Sequence, residues 1–123
     1  MSGEALKIIN TELKGLGINY RYGNYKAPVP DRYFTGEYSE VDISSEDGRS
    51  ESTFMLNGFS RDVLLLEADK QKIEKHFRNG ITAIAPNGDA VAVFYSNSLC
   101  VPTGDDELVR LQINLIIKEW KVN

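Results

Sequence analysis

The chain holds one cysteine, Cys100, one histidine, His76, and one tryptophan, Trp120, in 123 residues. A lone cysteine excludes an internal disulfide, so the sequence does not read as a stapled secreted domain. One His and one Cys fall short of the ligand set a zinc site needs. Glu67, Asp69 and His76 do not make an H-E-x-x-H pattern. No apolar run approaches the roughly 20 residues that cross a bilayer. The longest candidate, INLII, has strand length, and the opening MSGEALKIIN lacks the basic-then-apolar order of a secretory signal. The glycine patterns that cradle phosphates are missing as well. Positive charge is short: 14 Lys and Arg against 18 Asp and Glu leave −4, which argues against a dedicated nucleic-acid binder. These absences predict a soluble protein of a reducing compartment, with no cofactor, no metal and no membrane association.

What is present predicts a single α+β domain over residues 1–123. Leu6, Ile9, Leu13 and Leu16 mark one face of a first helix, with Ser2 as its cap and Gly15 or Gly17 as its stop. Tyr20, Tyr22 and Tyr25 suggest a short extended segment, and Pro28 and Pro30 make a connector. A strand is expected from Tyr33 to Ser44, where Val41 and Ile43 alternate with polar residues. Phe34 and Tyr38 have the opposite parity, which predicts a bulge near Gly36. Asp47-Gly48 predicts a tight turn, and ESTFMLNGFS the returning strand, giving a long hairpin. In the second helix Leu66, Ile73 and Phe77 share a face; Asp69–Lys72 and Glu74–Arg78 are expected to pair on the other, and Asn79-Gly80 is the stop. The stretch VLLL at its start fits either helix or strand. Asn87-Gly88 predicts a second hairpin. The last strand is the plainest: Val109, Leu111, Ile113, Leu115 and Ile117 all fall on odd positions. The expected order is α-β-β-α-β-β-β, an antiparallel sheet with both helices packed mainly on one face.

Candidate chemistry is thin. Cys100 beside Leu99 and Val101 reads as a buried, inert thiol, and His76 as a solvated surface residue rather than its base. Asp105, Asp106 and Glu107 would need a cleft to bind a cation or move a proton; turn chemistry alone explains these residue types, which favours a charged turn leading into a strand. The tyrosine cluster from Tyr20 to Tyr38 fits a sheet rim, a protein interface or, against the charge balance, a stacking platform for single-stranded nucleic acid.

Four segments, EALKIINTELKGL, FTGEYSEVDISSEDGRSESTFMLNGFSR, LEADKQKIEKHFRNG and PTGDDELVRLQINLIIKEW, carry a resemblance. In length and element order the chain resembles the tail-terminator and tail-completion (head–tail joining) proteins of long-tailed bacteriophages and prophages. The resemblance implies a non-enzymatic subunit of a homo-oligomeric ring, commonly a hexamer. Such a ring caps the tail tube and meets the head-completion proteins, in the virion tail and in the host cytoplasm during assembly. It implies subunit contacts through the hairpin, the tyrosine-rich segment and the acidic turn: Tyr33, Phe34, Tyr38, Asp47, Arg49, Asp105 and Asp106. The negative charge suits a lumen that DNA passes without sequence-specific binding. A small ligand-binding or regulatory α+β domain is the alternative.

Overall fold

The computed structural model describes residues 1–40 and 49–122. Helix α1 (Gly3–Gly15) is followed by strands β1 (Tyr20–Tyr22), β2 (Arg32–Glu40) and β3 (Arg49–Ser60). Then come helix α2 (Val63–Phe77) and strands β4 (Ile81–Ile84), β5 (Ala90–Val101) and β6 (Val109–Trp120). The sheet runs β1-β2-β3-β6-β5-β4. The α+β class is as the sequence predicts, with one strand more than expected. β1 pairs with β2 in parallel, so the sheet is mixed rather than purely antiparallel.

The odd-position stripe of β6 takes the middle of the sheet. β6 pairs with β3 along its whole length, from Val109↔Ser60 to Trp120↔Arg49, and with β5 on the other side. Leu111, Ile113, Leu115 and Ile117 point to the face that both helices cover. They meet Ala5, Ile9 and Leu13 of α1 and Leu66, Ile73 and Phe77 of α2 in one continuous core. A hydrophobic effect of about 25 cal/mol per Å² makes this shared burial the main stabilising term.

Local signals set the helix ends. The Ser2 hydroxyl accepts from the Ala5 amide at 3.1 Å and itself donates to the buried Glu119 of β6. The cap of α1 is thereby tied to the central strand. Asp62 caps α2 by accepting from the Leu64 amide at 2.9 Å, so VLLL is helical. Gly80 and Gly88 sit at φ of 79° and 91°, a left-handed conformation that Gly adopts without penalty.

Several expectations need correction. The β2–β3 register runs unbroken through Gly36, so no bulge lies there; among the described residues the register shifts between Tyr95 and Asn97 in β5. The space at Gly36 serves packing instead. A Cβ at Gly36 would lie 2.5 Å from the Phe54 ring, and one at Gly58 would lie 2.4 Å from the Phe34 ring. Each glycine leaves room for an aromatic ring of the adjacent strand. The described part of the hairpin is no free arm, because β3 has a strand on each side. Val41, Ile43 and the Asp47-Gly48 turn lie outside the described residues. Cys100 is exposed rather than buried, since β5 outruns β4 beyond Val93. Asp69 is buried in α2, 3.4 Å from the Arg32 guanidinium of β2, and does not form the surface pair expected with Lys72. Glu74 and Arg78 do pair, at 3.5 Å. His76 is half-buried and binds Glu12 of α1 at 2.9 Å, which joins the two helices.

Candidate functional site

With both helices on one face, the other face of the sheet has no covering layer among the described residues. Registers across β2, β3 and β6 arrange its side chains in rows. Tyr33, Phe59 and Arg110 form one row, and Thr35, Asn57 and Gln112 the next. The first is a stack. Tyr33 and Phe59 have centroids 5.3 Å apart at 25°, and the Arg110 guanidinium lies 6.0 Å over the Phe59 ring. Tyr25 extends it, 5.2 Å from Tyr33, and Arg21 sits 5.2 Å over Tyr25. Three rings flanked by two guanidinium groups share electrostatic and dispersion attraction, and Tyr25, Tyr33, Phe59 and Arg110 remain partly exposed.

Hydrogen bonds fix the second row. Arg110 Nη2 donates to Asn57 Oδ1 at 2.9 Å, and Asn57 Nδ2 donates to Glu37 Oε1 at 3.3 Å. Gln112 Nε2 donates to Asn114 Oδ1 and Asn114 Nδ2 to Asn97 Oδ1, both at 3.0 Å. Arg110 Nε is buried with no hydrogen-bond partner, a donor left over at the centre of the patch. At the end of the aromatic row lies a groove of about 620 Å³, with Val29, Pro30, Tyr33, Phe59, Leu65 and Leu108 in its walls. Arg61 stands on its rim and pairs with Glu107 at 3.0 Å and Asp105 at 3.9 Å.

The row offers two guanidinium groups as donors and three aromatic rings. No group of three or more metal-ligating side chains occurs among the described residues. The acidic run is a turn: Thr103 Oγ1 accepts from the Asp105 amide at 3.0 Å and Asp105 Oδ1 from the Glu107 amide at 2.9 Å. Burial, reinforced by neighbouring Tyr22, pushes the Tyr20 phenol above its ordinary value, as befits a core tyrosine.

The residues expected at subunit contacts do not converge. Tyr33 lies in the aromatic row, and Asp105 reaches its groove through Arg61. Phe34, the next residue, faces inward and is fully buried; it is core and not contact surface. Tyr38 points the same way as Phe34, beside Tyr22 at 6.3 Å. Arg49 sits at the other end of β3, opposite Trp120. Asp106 is an exposed turn residue, and Asp47 lies outside the described residues. The sequence reading missed Phe59, Asn57 and Arg110. A signal for them existed: Phe59 is out of phase with Phe54 and Leu56, and Arg110 with the odd stripe, so both had to face away from the core.

No helix among the described residues is long and apolar enough to cross a membrane. Comparison with protein-family models and with curated proteins gives no match, so the functional reading stands on the geometry and on the resemblance of the sequence.

Proposed function

We propose that the chain is a structural assembly subunit of a phage or prophage tail, a tail-terminator or tail-completion protein. It docks through the open sheet face to copies of itself and to tail-tube and head-completion proteins. The observation that carries this reading is the row Tyr25–Tyr33–Phe59–Arg110. Tyr and Arg are the residue types that dominate binding energy at protein interfaces, and packed centres surrounded by polar groups are where they act. The hydrogen-bonded rim of Asn57, Gln112 and Asn114 supplies such surroundings.

The test is assembly. Wild-type protein at raised concentration should give ring-sized particles by light scattering and negative-stain microscopy. Phe59→Ala and Tyr33→Ala should each weaken assembly by about 2 kcal/mol or more, roughly 30-fold in affinity, while circular dichroism stays native. A protein that remains monomeric, with both variants indistinguishable from wild type, would refute the proposal. The groove beside Leu65 and Leu108 favours a second reading, a small-ligand domain, because its volume falls within the usual range for such pockets. A ligand that raises the melting temperature of a strict monomer, with the effect lost in Leu65→Trp, would select that reading.

A further inference from the structure

The dipeptide Asn-Gly occurs three times in the chain, at Asn57-Gly58, Asn79-Gly80 and Asn87-Gly88. An asparagine before glycine closes a ring on the main chain readily, because glycine has no side chain to shield its amide nitrogen from the neighbouring carboxamide. The fold treats the three pairs differently. Asn57 lies in mid-strand, with β2 on one side and β6 on the other, and is 6% exposed. Its carboxamide is held at both ends, by Arg110 on Oδ1 and by Glu37 on Nδ2. Asn87 is exposed but tied down: its Oδ1 accepts from the Asp89 amide and its Nδ2 donates to Asp89 Oδ2, both at 3.1 Å. The buried Asp89 is fixed in turn by the Val122 amide at 3.0 Å, and the Gly88 amide donates to the Ala85 carbonyl at 2.8 Å. Asn79 is exposed in the turn that leaves α2, and its carboxamide has no hydrogen-bond partner among the described residues. The Gly80 amide is held by one bond, to the Phe77 carbonyl at 3.0 Å, at the end of a helix, where local opening is least costly.

We infer that Asn79 is a self-modification site, at which the folded chain deamidates while the other two Asn-Gly pairs are held. The Gly80 nitrogen gives its proton to solvent and attacks Cγ of Asn79. An N–Cγ bond forms, the Cγ–Nδ2 bond breaks, and Nδ2 takes up a proton and leaves as ammonia. The succinimide so formed then takes up one water. Opening at the Cγ–N bond leaves an aspartate; opening at the original peptide carbonyl leaves an isoaspartate, whose main chain runs through Cβ and Cγ. Nothing is oxidised or reduced, and water is the sole co-reactant. Both products put a carboxylate at the C-terminal end of α2, where the helix dipole disfavours negative charge. The isoaspartate also adds one main-chain atom directly before Gly80. A Cβ on Gly80 would already lie 2.3 Å from the Phe94 ring, so the longer chain is accommodated only by moving the start of β4. Among the described residues β4 joins the sheet through β5 alone, which makes it the element that the change loosens.

The test uses dilute protein, which keeps it independent of assembly. The folded chain is held in mildly alkaline buffer at physiological temperature, and peptide mass spectrometry with fragmentation places each amide-to-acid mass gain. Asn79 should convert about tenfold or more faster than Asn57 and Asn87. In urea, where only the shared Asn-Gly sequence remains, the three rates should converge. Asn79→Gln keeps the amide but needs a larger ring, which closes far more slowly. It should remove the first acidic species seen on ion exchange and leave the melting temperature unchanged. Amide exchange over Ile81–Ile84 should quicken in the isoaspartyl fraction and not in Asn79→Asp, which carries the charge without the extra main-chain atom. Asn57 or Asn87 converting as fast as Asn79 in the folded protein would overturn the assignment, as would an Asn79 that converts in urea and not in the folded chain. Unchanged exchange in the isoaspartyl fraction would overturn the link to β4.

Discussion

Phe34→Ala lowers the unfolding free energy by about 3–5 kcal/mol in a denaturant titration. The ring is fully buried, and it stands directly across from Gly58 in the β2–β3 register. Truncation removes its transfer energy and opens a cavity that glycine has no side chain to fill. Gly58→Ala destabilises for the opposite reason: its Cβ would lie 2.4 Å from the ring, and an overpacked core loses about 1–3 kcal/mol. The two changes therefore couple. In Phe34→Ala the space above residue 58 is vacant, so adding Gly58→Ala should cost little or should recover part of the loss. Contacting residues give non-additive cycles of this kind, and a strictly additive double mutant would show that the ring and the glycine do not interlock.

The same pair shows how far the sequence could be read. Strict alternation over Val109–Ile117 names the central strand and its buried face, because a period of two with apolar residues on one parity has a single structural solution. Ser2, Asn79-Gly80 and Asn87-Gly88 are equally plain, since each solves a local problem with its own atoms. The role of Gly36 was hidden. Its neighbours on the chain suggest a change of phase, whereas the true reason for a glycine is a ring carried by another strand. The extended segment at Tyr20–Tyr22 was legible, but its membership of the sheet was not, because three residues in parallel pairing show no period. Cys100 was misread because apolar neighbours signal burial only where something covers the strand, and β5 outruns β4. For the candidate surface, residue types were legible and grouping was not. The tyrosine cluster drew attention to Tyr33, but Phe59 and Arg110 join it only through cross-strand register. An acid on a helix otherwise rich in charge reads as solvated, and the partner of Asp69 lies on a strand far earlier in the chain.

Arg32→Ala lowers stability at neutral pH by about 3–5 kcal/mol, towards the smaller value because the arginine side chain is 30% exposed and the pair is partly screened. Asp69 has almost no solvent contact, and its Oδ1 has no hydrogen-bond partner. Burial holds its carboxyl above the ordinary value, while Arg32 first and Lys72 second pull it down. A raised carboxylate pKa means that the folded chain binds the proton more tightly than the unfolded chain does. Stability therefore rises as pH falls through the folded pKa, and the gain is complete below the unfolded one. Without Arg32 the charged form loses its main support, so the folded pKa rises further and the pH dependence steepens. The deficit of Arg32→Ala should consequently shrink on acidification, and thermal melts across acidic to neutral buffers will follow it. Asp69→Asn removes the charge that needs compensation; in that background Arg32→Ala should cost far less, and Asp69→Asn alone should melt near wild type. A deficit in Arg32→Ala that is the same at every pH and the same in the Asp69→Asn background would mean that the arginine acts through packing and its bond to the Leu65 carbonyl, and that the ion pair contributes nothing.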